Sequence, residues 1–173
     1  MHPWHDIDPG EGAPAVITMV VEIPKGSRNK YEIDKLTGAF RLDRVMATST
    51  AYPVDYGFVP RTLYGDGDPL DVLVVTNYPT FTGCLLEVRP IGLFSMRDRD
   101  LPDDKVLAVL TKDPTFHGVT ELAHVAPHLL KEIEHFFRVY KDLEGGRQVT
   151  IGWTGVADAH RAIASGIAGY ARR

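Results

Sequence analysis

Asp66-Gly67-Asp68-Pro69-Leu70-Asp71 places three carboxylates within one tight turn and the first position of an apolar run, Val72-Leu73-Val74-Val75. Gly67 and Pro69 bend the backbone, so Asp66 and Asp68 leave a turn while Asp71 enters a strand, and the three can converge on one volume. Like charges this close repel, and each raises the pKa of its neighbours. Hard divalent cations remove that penalty, and Mg²⁺ in particular is held by a few carboxylates plus water and substrate phosphates. A lone Asp-x-Asp is most often a solvated turn. The third Asp, the intervening Pro and the apolar strand behind them favour an ion-holding turn here. An EF-hand does not fit, because Leu70 occupies a position that would have to supply oxygen and no Gly follows it.

A second acidic run, Asp98-Arg99-Asp100-Leu101-Pro102-Asp103-Asp104-Lys105, precedes Val106 to Leu110. Taken alone it reads as a hydrophilic hairpin loop. Its value comes from recurrence: both runs lead directly into an apolar strand, so in a barrel both can sit at the mouth of one cavity. His128, Glu132 and His135 share a helix face, but the spacing is not His-Glu-x-x-His and no third strong ligand is nearby, so they read as solvent or subunit contacts. There is no Gly-x-Ser-x-Gly elbow or Walker loop.

These acids need elements to hold them. Residues 1–14, rich in Pro, Gly and acids, read as an arm over the surface. Val16 to Ile23 is a strand ended by Pro24, and Glu22 lies within its apolar run, where a carboxylate is costly unless paired. Lys30 to Asp34 alternates strictly, with Lys30, Glu32 and Asp34 on one face, and returns through Thr37 and Gly38 as Phe40 to Val45. Arg44, at the end of that return strand, can partner Glu22 or Glu32, or aim its planar fork at a phosphate. In the segment Ala51 to Gly57, Tyr52 and Tyr56 either pack or, beside a metal, hydrogen-bond a phosphate oxygen. Strands follow at Val72 to Thr76, at Leu85 to Val88 and Ile91 to Met96 on either side of Pro90, and at Val106 to Leu110. Residues 111–126 read as a long connection. Pro127 opens a helix with apolar positions Leu129, Ile133, Phe136, Phe137 and Tyr140, ended by Gly145-Gly146. Tyr140 and Lys141 fall in its last turn, where Lys suits the helix dipole without any substrate. Gln148 to Ile151 is a strand, and a final helix starts near Val156, capped by Thr154, with Arg172 and Arg173 at its end. Gly166 and Gly169 each cost that helix about 1 kcal/mol relative to Ala. Many short strands with punctuated turns predict a small barrel or sandwich.

The 173 residues, 44% hydrophobic and 24% charged, predict one globular domain over residues 1–173. A net charge of -4 argues against nucleic acid or an anionic membrane as partner. The single cysteine, Cys84, excludes an internal disulfide and suits a reducing cytoplasm. No stretch reads as a signal peptide or a bilayer span, so the expectation is a soluble intracellular protein.

The chain resembles the soluble inorganic pyrophosphatases of the Mg²⁺-dependent, bacterial type. The resemblance is carried by the acidic turn Asp66 to Val72 and by VVEIPKGSRNKYEIDK (Val20 to Lys35), LDRVM (Leu42 to Met46), YPVDYGF (Tyr52 to Phe58), part of Asp98 to Lys105, and HFFRVYKDLE (His135 to Glu144). Six blocks in the right order, over about residues 16–153, are highly specific. The resemblance implies an α+β, mainly β fold: an OB-type five-stranded β-barrel with two C-terminal helices packed outside. It implies Mg²⁺, with Mn²⁺ or another divalent ion also possible, on Asp66, Asp71 and Asp103, and Asp98 holding further metal that arrives with substrate. Asp68 would be the general base. Lys30, Arg44, Tyr56, Tyr140 and Lys141 would bind phosphate groups, and Glu22, Glu32 and Lys105 would complete the polar cavity. The implied activity is hydrolysis of pyrophosphate to two orthophosphates by a homohexamer, with His135 at a subunit contact. Alternatives are a Mg-dependent hydrolase of another phosphoanhydride or phosphoester, and a non-catalytic OB-type binding module, whose mark would be a basic or aromatic groove. The chain departs from the family's pattern at Arg99, commonly Glu, at Leu101, often Gly, and at Val139, where many relatives carry a second interface His.

Overall fold

The computed structural model describes residues 1–172, so Arg173 lies outside the described residues. The strands are β1 (Ile17–Ile23), β2 (Asn29–Ile33), β3 (Phe40–Val45), β4 (Asp55–Phe58), β5 (Asp71–Val75), β6 (Leu85–Asp98), β7 (Leu101–Pro102), β8 (Lys105–Leu110) and β9 (Gln148–Thr154). The helices are α1 (Pro127–Val139) and α2 (Val156–Ala171). Strands β1, β4, β5, β8 and β6 pair in that order, and β6 returns to β1, which closes the barrel. Alternating apolar residues fill it: Met19, Val21, Val72, Val74, Val88, Val106 and Ala108 are at most 0% exposed and share one core with Ile163 of α2. Closure leaves these strands no free edges within the ring.

Two features of the ring decide where the acids go. β5 and β8 run parallel with Asp71 opposite Lys105, so both strands start at the same rim and both acidic runs open there. β6 is one strand of 14 residues, not the two pieces expected around Pro90. The register shifts between Pro90 and Gly92, and an irregularity of this kind accommodates a residue that cannot donate to the ladder. β6 pairs with β1 through Leu85–Val88 and with β9 through Leu93–Asp98, and it stays on β8 as far as Phe94, so its last residues, 95–98, run past the ring and carry Asp98 over the mouth.

Local irregularities aim the remaining groups. A register shift in β1 between Val21 and Ile23 releases Glu22 from the ladder. β1 can approach β4 this closely because residue 57 is glycine: a Cβ there would lie 2.0 Å from the Val20 carbonyl oxygen. In the β2–β3 hairpin the register shift leaves Asp43 of β3 as the extra residue, so Lys30 and Glu32 keep one face. Asp34 does not join them because β2 ends at Ile33; it accepts the Leu36 and Thr37 N–H groups and caps the turn.

α1 ends at Val139, earlier than Gly145-Gly146, and a 3₁₀ turn over Asp142–Glu144 follows. Tyr140 and Lys141 thus stand at and just past the helix end. Phe136 and Phe137 pack with Tyr52, Phe94 and Tyr140 in a second core. α2 is preceded by Gly155, not capped by the Thr154 side chain. Its Gly169 has a packing reason, since a Cβ there would lie 2.7 Å from the Leu63 carbonyl oxygen. Within the N-terminal arm, Trp4 is 2% exposed and packs with Val20, Ile33 and Phe58.

Candidate active site

The two acidic runs and the β2–β3 hairpin enclose one cavity with two lobes. The larger, about 190 Å³, is faced by Asp66, Asp68, Asp71, Asp98 and Asp103, with Lys30, Glu32, Tyr56, Lys105, Tyr140 and Lys141 among its other walls. The smaller, about 130 Å³, shares Lys30, Glu32, Tyr56, Asp68 and Asp71, and adds Glu22 and Lys35. Arg44 faces neither lobe; it lies beside Lys30 across the hairpin. It partners neither Glu22 nor Glu32, and its Nε instead pairs with Glu144 Oε2 at 2.9 Å while Nη1 meets Asp43 at 2.5 Å.

Lys105 is the electrostatic centre. It is 2% exposed, and its Nζ lies 2.6 Å from Asp71 Oδ2 and 2.6 Å from Asp103 Oδ1. Burial works against the ammonium, but Asp71 and Asp103 outweigh it and hold its pKa well above the ordinary lysine value. Burial raises the Asp71 pKa, while Lys105 pulls it back. The Tyr56 hydroxyl donates to Asp71 Oδ2 at 2.7 Å, and burial keeps that phenol protonated by raising its pKa well above the usual value. Asp104, next to Asp103, turns away and accepts from Tyr64 at 2.7 Å.

At the rim, Lys141 Nζ donates to Asp98 Oδ2 at 2.7 Å and Gln148 Nε2 to Oδ1 at 3.0 Å. Burial raises the Asp98 pKa, yet these two bonds outweigh it and leave the carboxyl below the usual range. Burial raises Asp66, with Asp68 and Asp103 adding to the shift. Lys30 pairs with Glu32, and burial lowers its pKa. Glu22 accepts the Ile33 N–H at 2.8 Å, and burial pushes its pKa up to about 8. Arg99 and Asp100, both at positive φ (49° and 69°), form the hairpin tip between Asp98 and Leu101. Arg99 is exposed and off the cavity, so the charge it brings reaches Asp98 only through space.

Sequence reasoning missed Lys35, whose Nζ pairs with Asp68. It lies in the turn after β2, and only the hairpin's fold over the mouth brings it there. In the sequence Gln148 only marks the start of a strand; the β6–β9 register places it opposite Asp98. His128 and Glu132 form an exposed pair at 3.3 Å on α1, and His135 is exposed beside them.

The donor set suits a hard divalent ion, because every acid at the larger lobe offers carboxylate oxygen and no thiol or imidazole faces it. Among the described residues, no three His, Cys, Asp or Glu side chains already gather as a closed cage. Mg²⁺ does not require one, since it keeps several waters and uses one or two carboxylates with substrate phosphates.

An acid-lined mouth on a closed five-strand barrel, walled by lysines and tyrosines, defines a site for anions held through cations. The sequence model of the family described as "Inorganic pyrophosphatase" matches residues 19–171. The chain is 47% identical over 162 residues to soluble inorganic pyrophosphatase 3 of Arabidopsis thaliana, covering 94% of this chain and 75% of that one. It is 45% identical over 162 residues to soluble inorganic pyrophosphatase 2 of Chlamydomonas reinhardtii, covering 94% and 84%. Among solved structures, the inorganic pyrophosphatase from Thermus thermophilus superposes with a TM-score of 0.94 at 40% identity, covering 98% of this chain and 99% of that one. The Helicobacter pylori enzyme gives 0.91 at 35% identity, covering 96% and 99%. The chain belongs to the inorganic pyrophosphatase family.

Proposed function

We propose that this chain hydrolyses inorganic pyrophosphate to two orthophosphates, using Mg²⁺ held by Asp66, Asp71 and Asp103, with Asp98 serving ions that arrive with substrate. The observation that carries this reading is the meeting of carboxylates from two separate runs with Lys30, Tyr56, Tyr140 and Lys141 around one small cavity. Bound divalent ions supply a water of lowered pKa and neutralise charge on the phosphoryl oxygens. Asp68 stands on the rim of both lobes and takes the proton of the attacking water as general base. Lys105 holds Asp71 and Asp103 at a fixed separation. Tyr56, kept protonated by its burial, donates to Asp71 and so fixes the rotamer of that carboxylate. Lys30, Lys141 and Tyr140 orient the two phosphate groups, and Arg44 would join them from the hairpin by exchanging its Asp43 and Glu144 partners for phosphate. The water oxygen bonds to one phosphorus, and the bridging oxygen leaves with the other and takes up a proton. Such transfer depends on positioning and charge neutralisation, the properties these residues supply.

The family match and the similarity to named soluble inorganic pyrophosphatases favour pyrophosphate over a nucleotide. The acidic lining disfavours the binding-module alternative. We extend the reading to a cytoplasmic homohexamer meeting through the exposed face of α1 around His135; among the described residues, no helix is long and apolar enough to cross a membrane. Phosphate release from pyrophosphate, ATP and a simple phosphomonoester, each with Mg²⁺ and with EDTA, tests the assignment. Pyrophosphate turnover with Mg²⁺ alone is expected. Turnover of another substrate without pyrophosphate cleavage would reject it.

A further inference from the structure

The N-terminal arm touches both loops that flank the cavity. On one side it wraps Arg61, which sits at φ 49°, a costly conformation for a residue with a Cβ. The Arg61 N–H donates to the Trp4 carbonyl at 2.9 Å, and its Nε donates to the His5 carbonyl at 2.9 Å. The buried Trp4 indole donates to the Thr62 carbonyl at 2.9 Å. Thr62, 0% exposed, accepts the Leu70 N–H on its hydroxyl at 2.8 Å. Leu70 lies between Asp68 and Asp71, so Trp4 stands one residue and two hydrogen bonds from the acidic turn. On the other side, His2 Nε2 meets the Lys35 carbonyl at 3.2 Å, and its ring covers Gly38, where a Cβ would come within 2.9 Å. Lys35 and Asp68 then pair across the rim.

We propose that residues 2–8 are a clamp that fixes the 61–70 loop against the β2–β3 turn, making Trp4 and Arg61 positioning residues for the acids that hold ions. The inference rests on the reading of this site as a divalent-ion centre. Carboxylates on a loosened loop must be ordered when the ion binds, and apparent affinity falls with the fraction of the loop already in the competent geometry. Linkage makes the effect reciprocal: ions bound at the turn tighten the arm.

The experiment uses the full chain. Trp4→Phe keeps an aromatic ring and removes the N–H that reaches Thr62; Arg61→Ala removes the side-chain bond to His5 and keeps the backbone one. The Mg²⁺ activation constant is expected to rise about three- to tenfold in Trp4→Phe, the worth of one net hydrogen bond, with kcat at saturating Mg²⁺ within about twofold. Hydrogen exchange at the Leu70 and Arg61 amides is measured alongside, with Mg²⁺ as the probe and no substrate. Mg²⁺ is expected to slow both amides in the native chain and to slow them less in the variants. A lower melting temperature with an unchanged Mg²⁺ constant and unchanged Mg²⁺-dependent protection in both variants would reduce the arm to packing and overturn the proposal. Native protein that shows this Mg²⁺-dependent protection but does not cleave pyrophosphate would sink the functional reading and leave the clamp standing.

Discussion

Lys105→Met removes a charge from the deepest point of the site while keeping an unbranched chain that fills the space between the Tyr56 and Phe137 rings, 5.6 and 5.2 Å from the ammonium. The ammonium is 2% exposed and makes two 2.6 Å contacts to carboxylates. Bonds to charged groups are worth about 1.5–3 kcal/mol each, and removing one member of a buried ion pair costs about 3–5 kcal/mol. Asp71 can relieve part of that by taking up a proton, because burial already raises its pKa, so the lower part of the range, about 3–4 kcal/mol, applies. At about 2–4 °C per kcal/mol for a chain of this size, Tm in EDTA at neutral pH should fall by about 6–16 °C. A divalent ion supplies positive charge to the same oxygens, so millimolar Mg²⁺ should raise the variant's Tm more than the native protein's. Scanning calorimetry with EDTA and with Mg²⁺ reads both. A drop below about 2 °C, or equal Mg²⁺ increments in the two proteins, would refute the claim that Lys105 neutralises a buried acid pair.

The remaining expectations concern single groups. Glu22 has a folded pKa of about 8 against 4.5 unfolded, so the folded state holds its proton through that window and metal-free stability should decline as pH rises from about 4.5 to about 8. Glu22→Gln should remove that part of the slope, read as ΔG against pH in urea with EDTA; parallel curves for the two proteins would show that Glu22 ionises freely. Asp68→Asn should cut kcat by about 10²-fold or more and leave Tm nearly unchanged, and native turnover at saturating Mg²⁺ would remove it from the base role. Arg44→Ala should cost under about 1 kcal/mol in stability, since its ion pairs are partly exposed, while raising KM for pyrophosphate several-fold. An unchanged KM would place Arg44 outside the substrate's reach.

The acidic runs were legible because their chemistry and their positions before apolar strands are local properties, and the parallel β5–β8 register turns that repetition into a shared rim. Glu22 was legible as an anomaly within an apolar run, and the irregularity that aims it is invisible until β1 meets Gly57. Pro90 misled because it reads as a strand break, whereas a strand whose two halves pair with different partners can absorb it. The end of α1 was placed too late because Gly145-Gly146 is the stronger stop signal; the chain leaves the α-helix earlier, where Tyr140 packs into the aromatic core. Trp4 carried no periodic signal. A single aromatic in a Pro- and Gly-rich arm declares itself only through the pocket that receives it.

The central claim is that Asp66, Asp71 and Asp103 hold ions together, within reach of a phosphate bound by Lys141. A crystal structure of the protein with Mn²⁺ and orthophosphate tests it most directly. Anomalous peaks on those three carboxylates, with phosphate between them and Lys141, are expected. Peaks confined to the α1 histidines or to the protein surface, with the cavity holding water alone, would contradict it.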